Sequence, residues 1–243
     1  MTLLLATTLL APAAHAYDHT HAGFAAVLEG AVFEDGTVDY AVIKSRRAQL
    51  GAYLEDNANA NVSTFKDDEQ VAFWINSYNA LTLDVVSERE PLPGSIRDIL
   101  GGKVWEEKVF SVGRQKVTLN DIENKILRPR TDGRIHAVVN CASKGCPPLP
   151  LRPIVAQDLQ GQLDAAAKRW VASNAFKMER GVLELSKIFQ WYTEDFTGLK
   201  PGQGSAEDMI KGGRMFIEKY GGKIDGEVKK TVWMEYDWAL NKR

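Results

Sequence analysis

The run Val71 to Val86, VAFWINSYNALTLDVV, constrains this chain most. Val71, Trp74, Ile75, Tyr78, Leu81 and Val85 fall on one helical stripe, and Ala72, Asn76, Asn79, Leu83 and Val86 on the next. A helix apolar nearly all round has to be enclosed, so the rest of the chain is expected to wrap it. Asp67 with Gln70 three positions on reads as a capping box, and Asp68 and Glu69 suit the positive end of the helix dipole. Asn76 and Asn79 then lie one turn apart inside the protein. A buried amide left unpaired costs roughly 1–3 kcal/mol, so each must find partners. Either they tie loops to the core, or they line a pocket and orient a ligand.

The chemistry concentrates elsewhere, in Arg134 to Pro150, RIHAVVNCASKGCPPLP. This stretch holds both cysteines, Cys141 and Cys146, and His136, the one histidine beyond position 21. Read as a strand, it places Arg134, His136, Val138 and Asn140 on one face and Cys141 on the other. An extended strand would put Cys141 about 16 Å from His136, whereas a Cys–His pair needs contact near hydrogen-bond range. The chain between the cysteines must therefore curl back. Gly145 permits a sharp turn, and Pro147-Pro148 stops the return segment from pairing as an interior strand.

The other elements read more simply. Phe24–Leu28 is a short helix, Asp35-Gly36 a turn, and Tyr40–Leu54 a helix followed by a polar loop, Asn57–Thr64. That loop carries the sequon Asn61-Val62-Ser63, a weak signal alone. Pro91–Gly102 is a connector with one helical piece, Ser95–Leu100. Val104–Val112 and Gln115–Leu119 read as a hairpin about Gly113-Arg114, and Asp121–Arg128 as a short helix. Val155–Ser173 is a long helix, Gly181–Leu185 a strand, and Ser205 with Asp208 caps a helix ending at Gly221. Val232, Met234, Tyr236, Trp238 and Leu240 alternate as in a strand with a large aromatic face. With no repeat and no linker, one α+β domain over residues 17–243 is the economical reading.

Residues 1–16, MTLLLATTLLAPAAHA, look like an export signal, with a short apolar core and a small-x-small site at Ala14-His15-Ala16. No Lys or Arg precedes the core, so the competing reading is an apolar N-terminal helix. The following His19 and His21 suit weak metal binding or, more simply, a frayed terminus. No later segment is long and apolar enough to span a bilayer after cleavage. A formal net charge of −2 and the lack of a basic aromatic stripe argue against nucleic acid. The expected location is periplasmic or secreted, where two nearby thiols tend to oxidise together.

Four readings of the thiols follow. A Cys141–Cys146 disulfide would stiffen the loop. A thiolate at either cysteine would be activated by His136, with Lys144 lowering the thiol pKa. A metal would use both thiols and His136, but zinc wants a fourth ligand that the stretch lacks. Or both are inert buried thiols. No cofactor is implied.

The segments FWINSYNALTLDVV, IHAVVNCASKGCPPL and LSKIFQWYTEDF, with the terminal YDWALN, resemble the bacterial family of unknown function DUF547 over roughly residues 67–196 plus a C-terminal strand at 231–240. That family is generally found in exported or membrane-associated proteins, and no biochemical activity defines it. Its motif often reads N-C-x-S-x-S-C-P-P-L, where Gly145 here replaces the second serine, and it often carries histidine where this chain has Asn124. The resemblance implies a buried helix packed on an antiparallel sheet, similar to papain-like or transglutaminase-like thiol enzymes. In those the nucleophile usually caps the central helix, a place that Asn76 takes here.

The resulting expectation is an exported thiol-dependent hydrolase or transferase acting on a small peptide or amide. Cys146 or Cys141 is the nucleophile, His136 the base, and Glu123 or Asp195 its orienting acid. Asn76, Tyr78, Asn79, Asn140, Ser143 and Trp191 would contact substrate. The alternative is a non-catalytic ligand-binding or sensing domain with a Cys141–Cys146 disulfide at the pocket rim. A third class is a structural partner of an envelope protein, which requires an exposed apolar patch.

Overall fold

A computed structural model describes residues 16–243; the expected export signal lies outside the described residues except for Ala16. The segment read as a frayed terminus is instead packed. The Tyr17 hydroxyl donates to Asn57 Oδ1 at 2.6 Å, and His21 Nδ1 lies 2.8 Å from the Tyr53 hydroxyl. The Tyr17 ring also meets Phe65 and Phe73, and these two aromatic contacts supply apolar area that anchors the segment.

Helix α1 (Ala22–Leu28) follows, then α2 (Tyr40–Ser45) and α3 (Arg47–Asn59). The single helix expected over Tyr40–Leu54 is broken at Arg46, whose backbone leaves helical geometry at ψ 15°. The Arg46 guanidinium reaches back to the carbonyl oxygens of Val27 and Glu29, groups exposed where α1 ends. Satisfying those oxygens favours the break over a continuous ladder.

Helix α4 (Asp67–Ser87) is the buried helix expected, with every residue from Val71 to Leu83 buried. It starts one position earlier than the capping pattern implied. Lys66 is the cap, and its N–H donates to Glu69 Oε2 at 2.8 Å. Around α4 lie α2, α3, a π-helical turn at Asp121–Leu127 and a turn at Ala156–Asp158. A short helix, α5 (Val104–Glu107), occupies half of the stretch expected as a strand. The hairpin after it is β1 (Phe110–Val112) and β2 (Gln115–Val117), turning through Gly113 and Arg114 at φ 58° and 62°. Positive φ at both turn positions is what a tight two-residue hairpin requires.

The second half adds α6 (Leu159–Ser173), β3 (Phe176–Glu179), β4 (Val182–Leu185), α7 (Lys187–Trp191), α8 (Thr193–Thr197), α9 (Ala206–Lys219) and β5 (Lys230–Trp233). β3 and β4 pair antiparallel, while β4 and β5 pair parallel. This small mixed sheet packs with α6, α7 and α9 around Trp170, Phe189 and Phe216. The α+β class therefore holds. Helix α4 packs chiefly against helices and loops, with only the antiparallel β1–β2 hairpin sharing its core, and the three-stranded sheet serves another core.

Two further expectations change. Arg134–Cys141 is no strand: a 3₁₀ turn spans Gly133–Ala137, opened by Asp132 accepting from Arg134 N, and irregular chain follows. Two of its backbone groups, Val138 O and Asn140 N, are taken by the Asn79 side chain of α4, so these need no ladder. In the tail, β5 ends at Trp233. Beyond it only isolated pairings remain among the described residues, Ala239 with Ser95, Leu240 with Ser143 and Lys242 with Val38. The alternation survives all the same: Met234, Tyr236, Trp238 and Leu240 turn inward while Glu235, Asp237 and Ala239 are exposed.

Burial pushes the His21 imidazole down from 6.5 to about 4. Among the described residues its Nε2 has no partner, so a proton there would be buried without an acceptor. A histidine depressed on folding stabilises the fold fully above pH 6.5 and loses that contribution as pH falls toward 4. The stability difference between the wild type and His21→Gln should shrink by roughly 3 kcal/mol across that window in urea titrations. A difference independent of pH would show that His21 does not stay neutral in the fold.

Candidate active site

Asn79 builds the site. Its Nδ2 donates to Val138 O at 2.7 Å, and its Oδ1 accepts from Asn140 N at 2.9 Å, so one rigid side chain on α4 holds both ends of a peptide step. Asn140 continues the scheme, accepting from Ala142 N at 2.8 Å and donating to Pro147 O at 2.8 Å. The segment thus closes on itself, with Cys146 N donating to Ser143 O at 3.1 Å. Ala142 is held at φ 60°, a conformation an L residue adopts at a cost of order 1–3 kcal/mol unless its surroundings enforce it. One turn earlier on α4, Asn76 makes the same double bond to the backbone of Ile154, at 2.7 and 2.9 Å.

The closure brings the sulfurs together as free thiols, 2.9 Å apart, with Cys141 N donating to Cys146 Sγ at 3.0 Å. The disulfide of the alternative reading is not present. Cys141 Sγ also lies 3.1 Å from Ser143 Oγ and 3.2 Å from the Tyr236 hydroxyl. The hydrogen bond from Cys146 chiefly, then those from Ser143 and Tyr236, outweigh burial and lower the Cys141 thiol from 9.0 to about 7. Cys146 goes the other way, raised by burial and by its negative neighbour. The pair therefore divides into a thiolate, Cys141, and a donor, Cys146. Lys144 is exposed and is not among the groups that lower the Cys141 thiol.

His136 is buried and stacked on Tyr192, with centroids 4.1 Å apart. Its Nε2 lies 2.8 Å from Asp195 Oδ2, and its Nδ1 lies 4.0 Å from Glu123 Oε1. Of the two acids weighed from sequence, Asp195 is the one hydrogen-bonded to the ring. Glu123 instead accepts from the Tyr78 hydroxyl at 3.1 Å. Burial works to raise the Asp195 carboxyl, but hydrogen bonds from His136 and Arg128 hold it below its usual value. Arg128 pairs with Asp195 at 2.6 Å and Glu194 at 2.5 Å, and also reaches Asn124 Oδ1 at 2.8 Å. The imidazole is not hydrogen-bonded to either thiol: the expected Cys–His pair is replaced by donors from Cys146, Ser143 and Tyr236.

Both groups nevertheless face one cavity of about 290 Å³, lined by Cys141, Cys146, His136 and Glu123 among others. Its aromatic walls are Tyr78, Trp105, Trp191, Tyr192, Tyr236 and Trp238. Tyr78 and Trp191 thus stand where substrate contact was expected. Asn76, Asn79, Asn140 and Ser143 stand behind the wall, with all three amides bonded to backbone. Among the described residues no group of three or more His, Cys, Asp or Glu is arranged to hold a metal ion. Tyr236 and Arg128 were not found from sequence; the motif YDW marked the first, and nothing local marked the second. Asn124, where the family often has histidine, lines the cavity. At Gly145 a Cβ would lie 2.9 Å from Asp237 N, so the tail crosses where the family's serine would sit.

Residues 62–171 match the model of the family described as protein of unknown function, DUF547. The matched stretch includes the thiol loop and His136 but stops before Asp195 and Tyr236. No curated protein and no solved structure matches the chain.

Two predictions follow from the hydrogen bonds. Asn79→Ala leaves Val138 O and Asn140 N buried without partners and should cost roughly 3 kcal/mol in chemical denaturation; a loss below about 0.5 kcal/mol would mean that this amide is dispensable. Iodoacetamide should alkylate Cys141 with a rate that rises through pH about 7, whereas in Cys146→Ala the midpoint moves up toward the ordinary thiol value. An unmoved midpoint would exclude Cys146 as the principal donor.

Proposed function

This chain belongs to the DUF547 family through residues 62–171, and on that footing we propose that it is a thiol-dependent hydrolase or transferase acting on a small peptide or amide. The observation that carries the reading is Cys141, lowered to about 7 by neutral donors on the wall of a cavity shared with His136. A thiol is half ionised at its pKa, so the nucleophile is ready at neutral pH without a base in contact.

The chemistry follows in order. The Cys141 thiolate attacks the carbonyl carbon, forming a C–S bond and a tetrahedral oxyanion. As negative charge leaves sulfur, the hydroxyls of Ser143 and Tyr236 are freed from stabilising it. Collapse breaks the C–N bond, and His136, oriented by Asp195, protonates the departing amine. Water or an acceptor amine then attacks the thioester carbonyl and passes a proton back to His136, and breaking the C–S bond releases the acid or the new amide and returns the thiolate.

The scaffold reads as a papain-like or transglutaminase-like arrangement in which the thiol has moved from the cap of the central helix to a loop that the helix grips. Support for this is the buried α4 and its two-point hold on the thiol loop. The leader-like pattern of the first sixteen residues supports an activity outside the cytoplasm, in the periplasm or beyond. Among the described residues no helix is long and apolar enough to cross a membrane. A non-catalytic ligand-binding role is the second reading, favoured by the lack of a hydrogen bond between the imidazole and either sulfur.

Intact-mass measurement after exposure to a panel of small peptide esters and amides decides between them. The first reading expects an acyl adduct on Cys141 that turns over in the wild type, is absent in Cys141→Ala, and turns over about 100-fold or more slowly in His136→Ala. Ligand binding without any adduct on a free thiol removes the catalytic reading.

A further inference from the structure

The cavity wall carries an imbalance of charge that the thiol chemistry does not use. Glu106 and Glu123 line it, and no Lys or Arg does. Of the guanidinium groups nearby, Arg128 is neutralised by Glu194 and Asp195, while Arg97 keeps its charge over the Trp238 ring at 5.1 Å and does not line the cavity. Glu123 is only 8% exposed, yet its hydrogen bond at 3.1 Å comes from a neutral phenol, Tyr78. The basic group nearest to it is His136 Nδ1, at 4.0 Å. Neighbouring Lys103 pairs with Glu107, and Glu106 forms no salt bridge among the described residues. Buried Glu123 and, at the exposed rim, Glu106 thus both line the cavity with no Lys or Arg beside them in its wall among the described residues.

The aromatic walls fit the same ligand. Trp191, Tyr236 and Trp238 form one cluster, with centroids 4.9 Å apart for Trp191–Tyr236 and 4.5 Å for Tyr236–Trp238. Trp105 extends it, 6.1 Å from Trp238. The negative face of an indole or phenol attracts a cation, and does so more strongly where water is excluded. Two rings are already engaged: His136 covers Tyr192 at 4.1 Å with Arg128 over it at 4.8 Å, and Arg97 lies over Trp238 at 5.1 Å.

We infer that the cavity binds the cationic end of its ligand, an alkylammonium group held among Trp105, Trp191 and Tyr236 and balanced by Glu106 and Glu123. The inference rests on the thiol reading only in calling that ligand a substrate. An ammonium seated there replaces its hydration with π-faces and carboxylates, whereas a neutral group of equal shape forgoes both. The source is either a lysine side chain or a small quaternary ammonium, since both present the same chemistry.

Tryptophan fluorescence titration of the full chain tests this with matched probes. Choline is compared with 3,3-dimethylbutan-1-ol, its neutral isostere. N-acetyl-lysine methylamide is compared with the norleucine and glutamate analogues. At least one cation should bind about tenfold or more tightly than its neutral partner, and which one does so identifies the source. Glu106→Gln and Glu123→Gln should each cut that preference several-fold. Parity in both pairs, or a preference for the glutamate analogue, overturns the inference, and neither comparison requires a variant to fold. Cation preference in a protein that is never acylated removes the catalytic reading alone. Acylation by neutral amides without cation preference removes this inference alone.

Discussion

A single buried amide sets the geometry of everything near the thiols. Asn79 spends its donor on Val138 and its acceptor on Asn140, fixing an irregular segment to the buried helix α4. Helix α4 is enclosed on nearly every side, so a side chain rooted in it is as well located as any atom in the fold. The segment it grips has no strand partner and would otherwise carry unsatisfied buried backbone groups. Asn140 passes the constraint onward to Ala142 and Pro147, and the sulfurs meet as a consequence.

On the opposite side of the cavity the organising principle is charge. Arg128 carries two carboxylates, Glu194 and Asp195, and through Asp195 it steadies His136. The ring is further held by its stack on Tyr192, whose other neighbour is again Arg128. The neutral donors around Cys141 do the complementary task, stabilising negative charge on sulfur without a positive group in contact. Proton inventory at the site is thereby split between two clusters that do not share a hydrogen bond but open on one space.

Where the sequence was legible, a short-range rule was at work. The stripes of Val71–Val86 read out as α4, the Gly113-Arg114 pair as a hairpin turn, and Ser205 with Asp208 as the cap of α9. The inward turn of Met234, Tyr236, Trp238 and Leu240 was read correctly, although most of that chain has no ladder: extended backbone keeps a period of two with or without a partner strand. Arg134–Cys141 was misread as a strand because its apolar content comes from burial on all sides and not from a sheet face. Tyr17–His21 was misread as frayed because its anchors, Tyr53, Asn57 and Phe73, lie far along the chain.

From the order of residues alone came a helix that must be interior, two amides on it that must be paired, and two thiols forced near each other by a four-residue turn. Each of these follows from periodicity or from the cost of burying a polar atom, which act within a few residues. The three-dimensional closure alone decided which partners those polar atoms received. Asp195 stands 59 positions from His136, and Tyr236 stands 95 positions from Cys141. No local pattern ranks such distant candidates, because a hydrogen bond is set by where two elements come to rest, and that is determined by the packing of the whole core.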